Sequence, residues 1–281
     1  MATVHQWTGL EAKALRLALR LSVRAFAQQL GLAVATVSKW ESKLAETEPR
    51  PDTQAILDTA LARSTALLGD LKRDQGAVLG PLSAQNSYAK ARAVFTRLDI
   101  PRRVAQLDLS LAVVTEMSGK PEIAAHAYEA LAVDDRLSRR DRARARLWVG
   151  TALSKDGRHH YATRVVQAAA RDFEDLTEPD DWSVAHQKLA LARRGAGDLT
   201  QALQFIDIAR CSGATESPMQ RVRLDTAHGH ILLSDAATRD DGYLVLDQAA
   251  KVATQYGLVH QLRSIEGIRA MSEGPTGSRQ R

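Results

Sequence analysis

The feature that most constrains the fold is a repeat in the second half of the chain, marked by three glycines. Gly119, Gly157 and Gly197 lie 38 and 40 residues apart. An apolar residue lies eight positions before each glycine, a small residue seven before it and an alanine five after it: Leu111, Val149 and Leu189; Ala112, Gly150 and Ala190; Ala124, Ala162 and Ala202. A repeat of this length encodes a pair of helices that cross closely at small residues and bury their apolar faces only by stacking on neighbours. The sequence therefore predicts stacked helical pairs over about 103–213, weaker pairs at about 82–98 and 218–256, and a cap at Leu258–Met271.

The composition favours helices and limits the kinds of site. Aromatic residues make up only 5% of the 281 residues, and Ala, Leu and Val supply most of the apolar side chains, so we expect an all-α protein of about two domains. Cys211 is the single cysteine, which excludes an intrachain disulfide and a CxxC metal site and fits a cytoplasmic protein. Neither a signal peptide nor a membrane span is predicted. The net charge of +5 permits a nucleic-acid partner.

The N-terminal part has the pattern of three short helices. Thr8-Gly9-Leu10-Glu11 has the form of a capping box, which predicts that the first helix begins there. Its buried stripe is predicted from four apolar residues at helical spacing: Leu10, Ala14, Leu17 and Leu21. Ser22 is the predicted cap of a second helix, Val23–Leu30, and Gly31 suits the left-handed residue after its end.

The third segment, Val34–Glu41, follows this turn almost at once. Val37 and Trp40 share one face, while the remaining face is small, polar and cationic. Two helices joined by a tight glycine turn, the second with a slim polar face, form an arrangement that allows the second helix to enter the major groove of DNA.

Residues Ser22–Glu41, SVRAFAQQLGLAVATVSKWE, resemble the Xre family of lambda-repressor-like helix-turn-helix proteins, and the resemblance covers about residues 8–66. The match includes Ala27 at the helix crossing, Gly31 at the turn and the closing pair Trp40-Glu41. The resemblance implies an ion pair between Arg16 and Glu41. Two positions depart from the family pattern: Ala33 replaces the usual Ser or Thr cap, and Ser42-Lys43 replaces a glycine.

The resemblance also implies which residues contact DNA. Those expected to face base edges are Val34, Ala35, Thr36, Ser38 and Lys39, and those expected to face phosphates are Arg24 and Lys43. The local charge agrees with this expectation, because Glu41 is the sole acidic residue between Lys13 and Lys43. Val34 and Ala35 suit thymine methyl groups, and Lys39 suits guanine.

The repeat columns resemble the tetratricopeptide repeat, although that repeat is usually about 34 residues long. Similar repeats in bacterial regulators bind peptides, proteins or small effectors on a concave surface. The candidates here are Arg146, Trp148 and Trp182, with core packing as the favoured alternative for each Trp.

The remaining candidate sites in the repeat region are weaker. The basic run Arg136, Arg139, Arg140, Arg142, Arg144 and Arg146 is interpreted as a solvated face rather than a second DNA-binding surface. Neither His159-His160 nor His228 and His230 have the spacing of a helical metal site. No catalytic motif is present, so we expect neither an enzyme nor a cofactor or metal.

Together these patterns predict an all-α protein of two domains: a lambda-repressor-like helix-turn-helix bundle at 1–75 and a tetratricopeptide-like α-solenoid at 76–272, followed by a disordered tail at 273–281. The predicted function is that of a cytoplasmic bacterial transcription regulator that binds double-stranded DNA as a homodimer and senses a peptide, protein or small-molecule effector through the repeats. The alternative is an adaptor in which the repeats bind a protein and the helix-turn-helix motif does not bind DNA.

Overall fold

The computed structural model describes residues 7–74, 82–211 and 217–273. In these residues the secondary structure is helical. The α-helices are α1 (Gly9–Ala18), α2 (Val23–Leu30), α3 (Val34–Lys43), α4 (Pro51–Asp74), α5 (Leu82–Arg97), α6 (Pro101–Met117), α7 (Pro121–Leu131), α8 (Arg139–Lys155), α9 (His159–Asp175), α10 (Pro179–Gly195), α11 (Leu199–Cys211), α12 (Pro218–Leu232), α13 (Arg239–Gln255) and α14 (Val259–Glu273). Short 3-10 turns lie at Leu44–Glu46 and Ala236–Thr238. The predicted all-α fold is confirmed.

Contacts divide the chain into two units. The described residues up to Leu71 group with Ala84–Leu107, and Lys72 and Arg73 group with the residues from Asp108 onward. The predicted boundary near residue 75 falls in 75–81, which lie outside the described residues, and it stays a prediction. The predicted tail beyond Glu273 also lies outside them.

The first unit includes a helix that the sequence assigned to the repeats. Residues 82–98 were predicted to form a weak helical pair, but this prediction is wrong, because they form essentially one helix, α5. Contacts with α4 explain its place in this unit: Tyr88 donates a hydrogen bond to Asp70 over 2.8 Å, and Arg97 contacts Asp58 at 2.9 Å. The other Asp58 oxygen accepts from the Trp7 indole at 2.9 Å.

The helix-turn-helix core lies in the same unit. It includes Phe26, Ala27, Val37 and Trp40, together with Leu15 of α1. The predicted stripe on α1 is wrong in register, because Leu10 and Leu17 are 47% and 56% exposed. The residues of α1 that are buried are Gly9, Ala12 and Leu15. The predicted capping box is present, with the Thr8 backbone N–H donating to Glu11 over 2.9 Å.

The turn glycines of the repeat all adopt the same conformation. Gly119, Gly157 and Gly197 have φ values of 81°, 81° and 82°, in the left-handed region that favours glycine. The backbone N–H of the residue after each glycine donates a hydrogen bond to a carbonyl in the last turn of the preceding helix. For example, the Arg158 N–H donates to the Leu153 carbonyl over 2.9 Å. This is the hydrogen bonding of a helix C-terminus closed by a left-handed residue, so the glycines end the first helix of each pair.

The small residues lie where paired helices touch. A Cβ on Gly150 of α8 would lie 2.3 Å from Val166 Cγ2 and 3.1 Å from the Ala162 carbonyl oxygen, both on α9. The same close approach recurs in the last pair, where a Cβ on Gly229 would lie 3.1 Å from the Gly242 carbonyl oxygen. The small residues at the helix crossings, Ala112, Gly150 and Ala190, therefore have a counterpart in Gly229 of the pair formed by α12 and α13. We call these four positions the contact column of the repeat.

The pairs stack through their first helices. Helices α8, α10, α12 and α14 contact one another in chain order, and α6 joins them through an ion pair between Glu116 and Lys155. We call α6, α8, α10 and α12 the first-helix layer. Helices α9, α11 and α13 each contact the first helix of their own pair and that of the next pair. Helix α14 contacts both helices of the last pair and matches the predicted terminal cap.

Candidate nucleic-acid interface

The turn between α2 and α3 fixes how α3 leaves the domain core. Ser22 caps α2 by accepting a hydrogen bond from the Ala25 N–H over 3.1 Å. Gly31 follows α2 with a φ of 68°, and the Leu32 N–H returns to the Ala27 carbonyl over 2.9 Å. Ala33 is the N-cap residue of α3, and its side chain cannot accept a hydrogen bond. The backbone N–H groups at the start of α3 therefore lack the side-chain acceptor that usually caps a helix.

Helix α3 buries one face and exposes the other. Val37 and Trp40 are buried in the cluster formed with α1 and α2. Six of the residues expected to contact DNA lie at the surface, and Thr36 is half-buried. The exposed six are Arg24, Val34, Ala35, Ser38, Lys39 and Lys43. The structure therefore presents the small, polar face of α3 to solvent.

An ion pair connects α1 with the end of α3. Arg16 makes a two-pronged contact with the Glu41 carboxylate, one prong of which is 2.9 Å, and it also donates to the Leu21 carbonyl over 2.7 Å. The side chains are only 11% and 13% exposed. The contact with Glu41 raises the pKa of Arg16 above its usual value. A paired guanidinium with defined geometry holds the orientation of α3 relative to α1.

The cations beside this face are available for an anionic partner. Within residues 7–74, Arg20, Arg24, Lys39 and Lys43 make no ion pair with another described residue. They are also exposed. Such a group of unpaired cations around a slim helix is the electrostatic pattern expected for phosphate contacts.

The structure adds two side chains that the sequence argument left out. Gln28 and Gln29 are exposed in the last turn of α2 and are separated from Gly31 by the buried Leu30. Gln28 lies four residues after Arg24, so the two share a face of α2. Two glutamines just before the turn of the helix-turn-helix could have been identified from the sequence as candidate DNA contacts, because a glutamine side chain suits the hydrogen-bonding edge of adenine.

The three effector candidates in the repeat region have separate contacts. Arg146 pairs with Asp172 of α9. Trp182 lies against His186, with ring centroids 3.8 Å apart, and His186 in turn lies 6.0 Å from Phe205 of α11. Trp148 of α8 lies next to α10, whose Lys188 Nζ is 5.7 Å from the centroid of the Trp148 ring. No contact brings these three described residues together.

The arginines of the basic run in and just before α8 are exposed or half-buried, and most of them also form ion pairs. Arg140 and Arg144 both donate to Asp181 of α10, at 2.7 and 2.9 Å. Further pairs join Arg136 to Asp134 and Arg142 to Asp135. Asp181 is buried, so the arginine contacts compensate for its desolvated charge and tie α8 to α10.

The histidines of α12 are half-buried. Burial lowers the pKa of His228, and it lowers that of His230 to about 4. Both imidazoles are therefore neutral at pH 7. In the parts of the chain that the structure describes, no three His, Cys, Asp or Glu side chains are grouped to hold a metal ion, and every helix is too short or too polar to cross a bilayer.

Comparison with known proteins agrees with this arrangement. Residues 13–68 match the family model HTH_3, described as Helix-turn-helix. This segment is therefore an Xre-type helix-turn-helix domain. A comparison with curated proteins gives no match.

Two solved structures share the fold over most of the chain. One is a Rap protein complexed with Competence and Sporulation Factor, with a TM-score of 0.61 and 13% identity over 94% of this chain and 82% of that one. The other is Bacillus thuringiensis PlcR in complex with the peptide PapR7 and DNA, with a TM-score of 0.54 and 13% identity over 92% and 98% of the two chains. The protein thus combines an N-terminal helix-turn-helix domain with a tetratricopeptide-like helical repeat.

Proposed function

We propose that this protein is a sequence-specific, DNA-binding transcription regulator that reads the major groove with α3. The observation that carries the proposal is the exposed face of α3, with Lys39 and Lys43 unpaired beside small side chains. Bulky residues on this face would keep the helix out of the groove. The helix-turn-helix match over residues 13–68 supports the same function.

The proposed roles follow the exposure of the side chains. The residues proposed to face base edges are Val34, Ala35, Thr36, Ser38 and Lys39. Arg24 and Lys43 are proposed to contact phosphates, and Gln28 and Gln29 to add contacts from the end of α2. Arg16 and Glu41 act indirectly, because their ion pair sets the orientation of α3.

We propose that the repeat unit binds an effector, of which a peptide is the best supported kind. One structure of similar fold is described as a complex with a peptide and DNA. All three effector candidates lie in first helices, and Trp148 suits this role best because its ring lies next to Lys188 of the following first helix. Arg146 and Trp182 are engaged by α9 and by His186.

We also propose that the regulator acts as a homodimer in the bacterial cytoplasm. Two copies would place their α3 helices in half-sites about 34 Å apart, which is one turn of DNA. Sedimentation of the protein with and without a selected DNA site measures this directly. A monomer under both conditions would refute the dimer without affecting DNA binding.

Titration with random duplex DNA at several salt concentrations tests DNA binding. Each phosphate contact that is lost should reduce the slope of log affinity against log salt by about 0.9. We expect wild type to bind with a steep salt dependence and Lys39→Ala plus Lys43→Ala to bind more weakly with a shallower slope. Selection from random DNA would then identify the preferred sequence.

The matched control is Lys251→Ala plus Arg263→Ala, which removes two exposed cations from α13 and α14. It should bind DNA as wild type does. If the α3 variant also behaves as wild type, the proposed interface is wrong. If wild type shows no salt-dependent binding, the adaptor function is favoured instead.

A further inference from the structure

The first-helix layer contains one lysine that lacks an acidic partner. Among the described residues, Lys188 of α10 forms no ion pair, and its ammonium lies 5.7 Å from the centre of the Trp148 ring. Lys188 is half-buried. A cation that is partly removed from water without a carboxylate partner is unfavourable for folding, so such a position needs another explanation.

The charged groups around Lys188 come from first helices. Lys155 of α8, Arg223 of α12 and Glu116 of α6 act on it electrostatically. Burial, together with smaller effects of Lys155 and Arg223, lowers the pKa of Lys188 to about 8, and Glu116 acts in the opposite direction. Among the described residues, the charged groups that act on Lys188 are therefore two cations and one carboxylate.

That carboxylate is already occupied. Glu116 is buried, and it accepts from Lys155 Nζ over 2.6 Å and from the Tyr128 hydroxyl over 2.9 Å. The other buried acid of the layer, Asp181, is held by Arg140 and Arg144. Neither acid is left to neutralise Lys188.

We propose that Lys188, beside Trp148, binds a carboxylate group of the effector. This inference rests on the proposed effector-binding role of the repeat unit and specifies the chemistry of the ligand. The carboxylate supplies the missing negative charge, and the Trp148 ring provides an apolar wall for the carbon next to it. The C-terminus of a peptide and a small organic acid both carry this group.

The test uses the full-length protein and three probes. Two are pools of random peptides without Asp or Glu, one with a free C-terminal carboxylate and one with a C-terminal amide. The third is a set of small carboxylates, succinate and citrate. Equilibrium dialysis with mass spectrometry identifies the bound compounds, and titration of the best one gives its affinity.

We expect binding from the free-acid pool or from the small carboxylates, and weaker binding from the amidated pool. Lys188→Met should weaken the binding by about 10-fold or more, because a charge-assisted hydrogen bond is lost, whereas Lys188→Arg should retain most of it. Lys251→Met, an exposed lysine of α13, should bind as wild type does. Circular dichroism checks that each variant is folded.

The pH dependence gives a second readout. As the pH rises from 7 to 9.5, Lys188 loses its proton, and the affinity of wild type for a carboxylate should fall. The arginine of Lys188→Arg retains its charge in this range, so this variant should lose much less affinity. A decrease of the same size in Lys188→Arg would show that another group controls binding.

The outcomes separate this proposal from the broader function. If free-acid and amidated peptides bind equally and Lys188→Met has no effect, the carboxylate site is wrong while effector binding stands. If no probe binds, the carboxylate site is also wrong. The DNA titration is independent of both results.

Discussion

The close crossing of α8 and α9 predicts that one added methyl group destabilises the repeat unit. In Gly150→Ala the new Cβ would lie 2.3 Å from Val166 Cγ2, well inside contact distance. Valine is branched at Cβ, so its side chain has little freedom to move away. Overpacking of this kind costs about 1–3 kcal/mol, whereas replacing glycine by alanine inside a helix gains about 1 kcal/mol. We therefore expect a net loss of up to about 2 kcal/mol.

Gly267→Ala is the matched control. Gly267 lies in α14 with no atom within 4 Å of the position of a new Cβ, so this variant should gain about 0.5–1 kcal/mol from helix propensity alone. The same chemical change should thus have opposite signs at two helical positions.

Hydrogen exchange of the α8 and α9 amides measures the effect locally, which matters because a chain with two units need not unfold in one step. Adding Val166→Ala to Gly150→Ala should relieve the clash and give a favourable coupling of about 1 kcal/mol or more. If Gly150→Ala is as stable as Gly267→Ala, or if the coupling is absent, the contact does not limit the packing.

Three further predictions concern named contacts. Glu41→Gln should destabilise the helix-turn-helix unit by about 2–4 kcal/mol, because Arg16 keeps a nearly buried charge without its partner; urea unfolding measures this, and unchanged stability would contradict it. Ala33→Ser should raise the stability of the same unit by about 1 kcal/mol by capping α3, and a thermal melt that does not rise would count against the missing cap. Lys188→Met should stabilise the repeat unit at pH 7 by at most about 3 kcal/mol. This gain should shrink between pH 8 and 10.5, because in this range Lys188 has lost its proton in the folded wild-type protein but keeps it in the unfolded chain. A gain in stability that is constant with pH would refute this prediction.

Features that depend on neighbouring residues in the chain were predictable. Gly31 was expected in the left-handed region and has a φ of 68°, and Ser22 was expected to cap α2 and does so. The glycines of the repeat behave in the same way. A turn or a cap is decided by a few consecutive residues, so the sequence contains the information needed to identify it.

Features that depend on packing partners were not predictable in the same way. Helix α1 has leucines on two faces, and Leu15 and Leu19 form an apolar pair as regular as Leu10 and Leu17. Packing against α3 and the rest of this core buries Leu15 and partly buries Leu19, the residue after α1, while Leu10 and Leu17 stay exposed. Similarly, nothing in the basic run of α8 shows that Asp181, 37 residues after Arg144, lies opposite it.

The repeat separates the residues that build the stack from the residues that we propose bind the effector. The contact column varies only between two small residues along the first-helix layer: Ala112, Gly150, Ala190 and Gly229. Two positions before each of these, the chain has side chains of entirely different chemistry: Ser110, Trp148, Lys188 and Ala227. The crossing of paired helices restricts the first column to small residues, as the close contact at Gly150 shows. The second column is not restricted to small residues, although Ala227 is buried and Trp148 packs against the core. Since stacking brings the second column together in space, a ring and a cation from different repeats meet there, as Trp148 and Lys188 do. Exchanging Lys188 and Trp148 should therefore change which ligand binds while leaving the crossing of the paired helices intact.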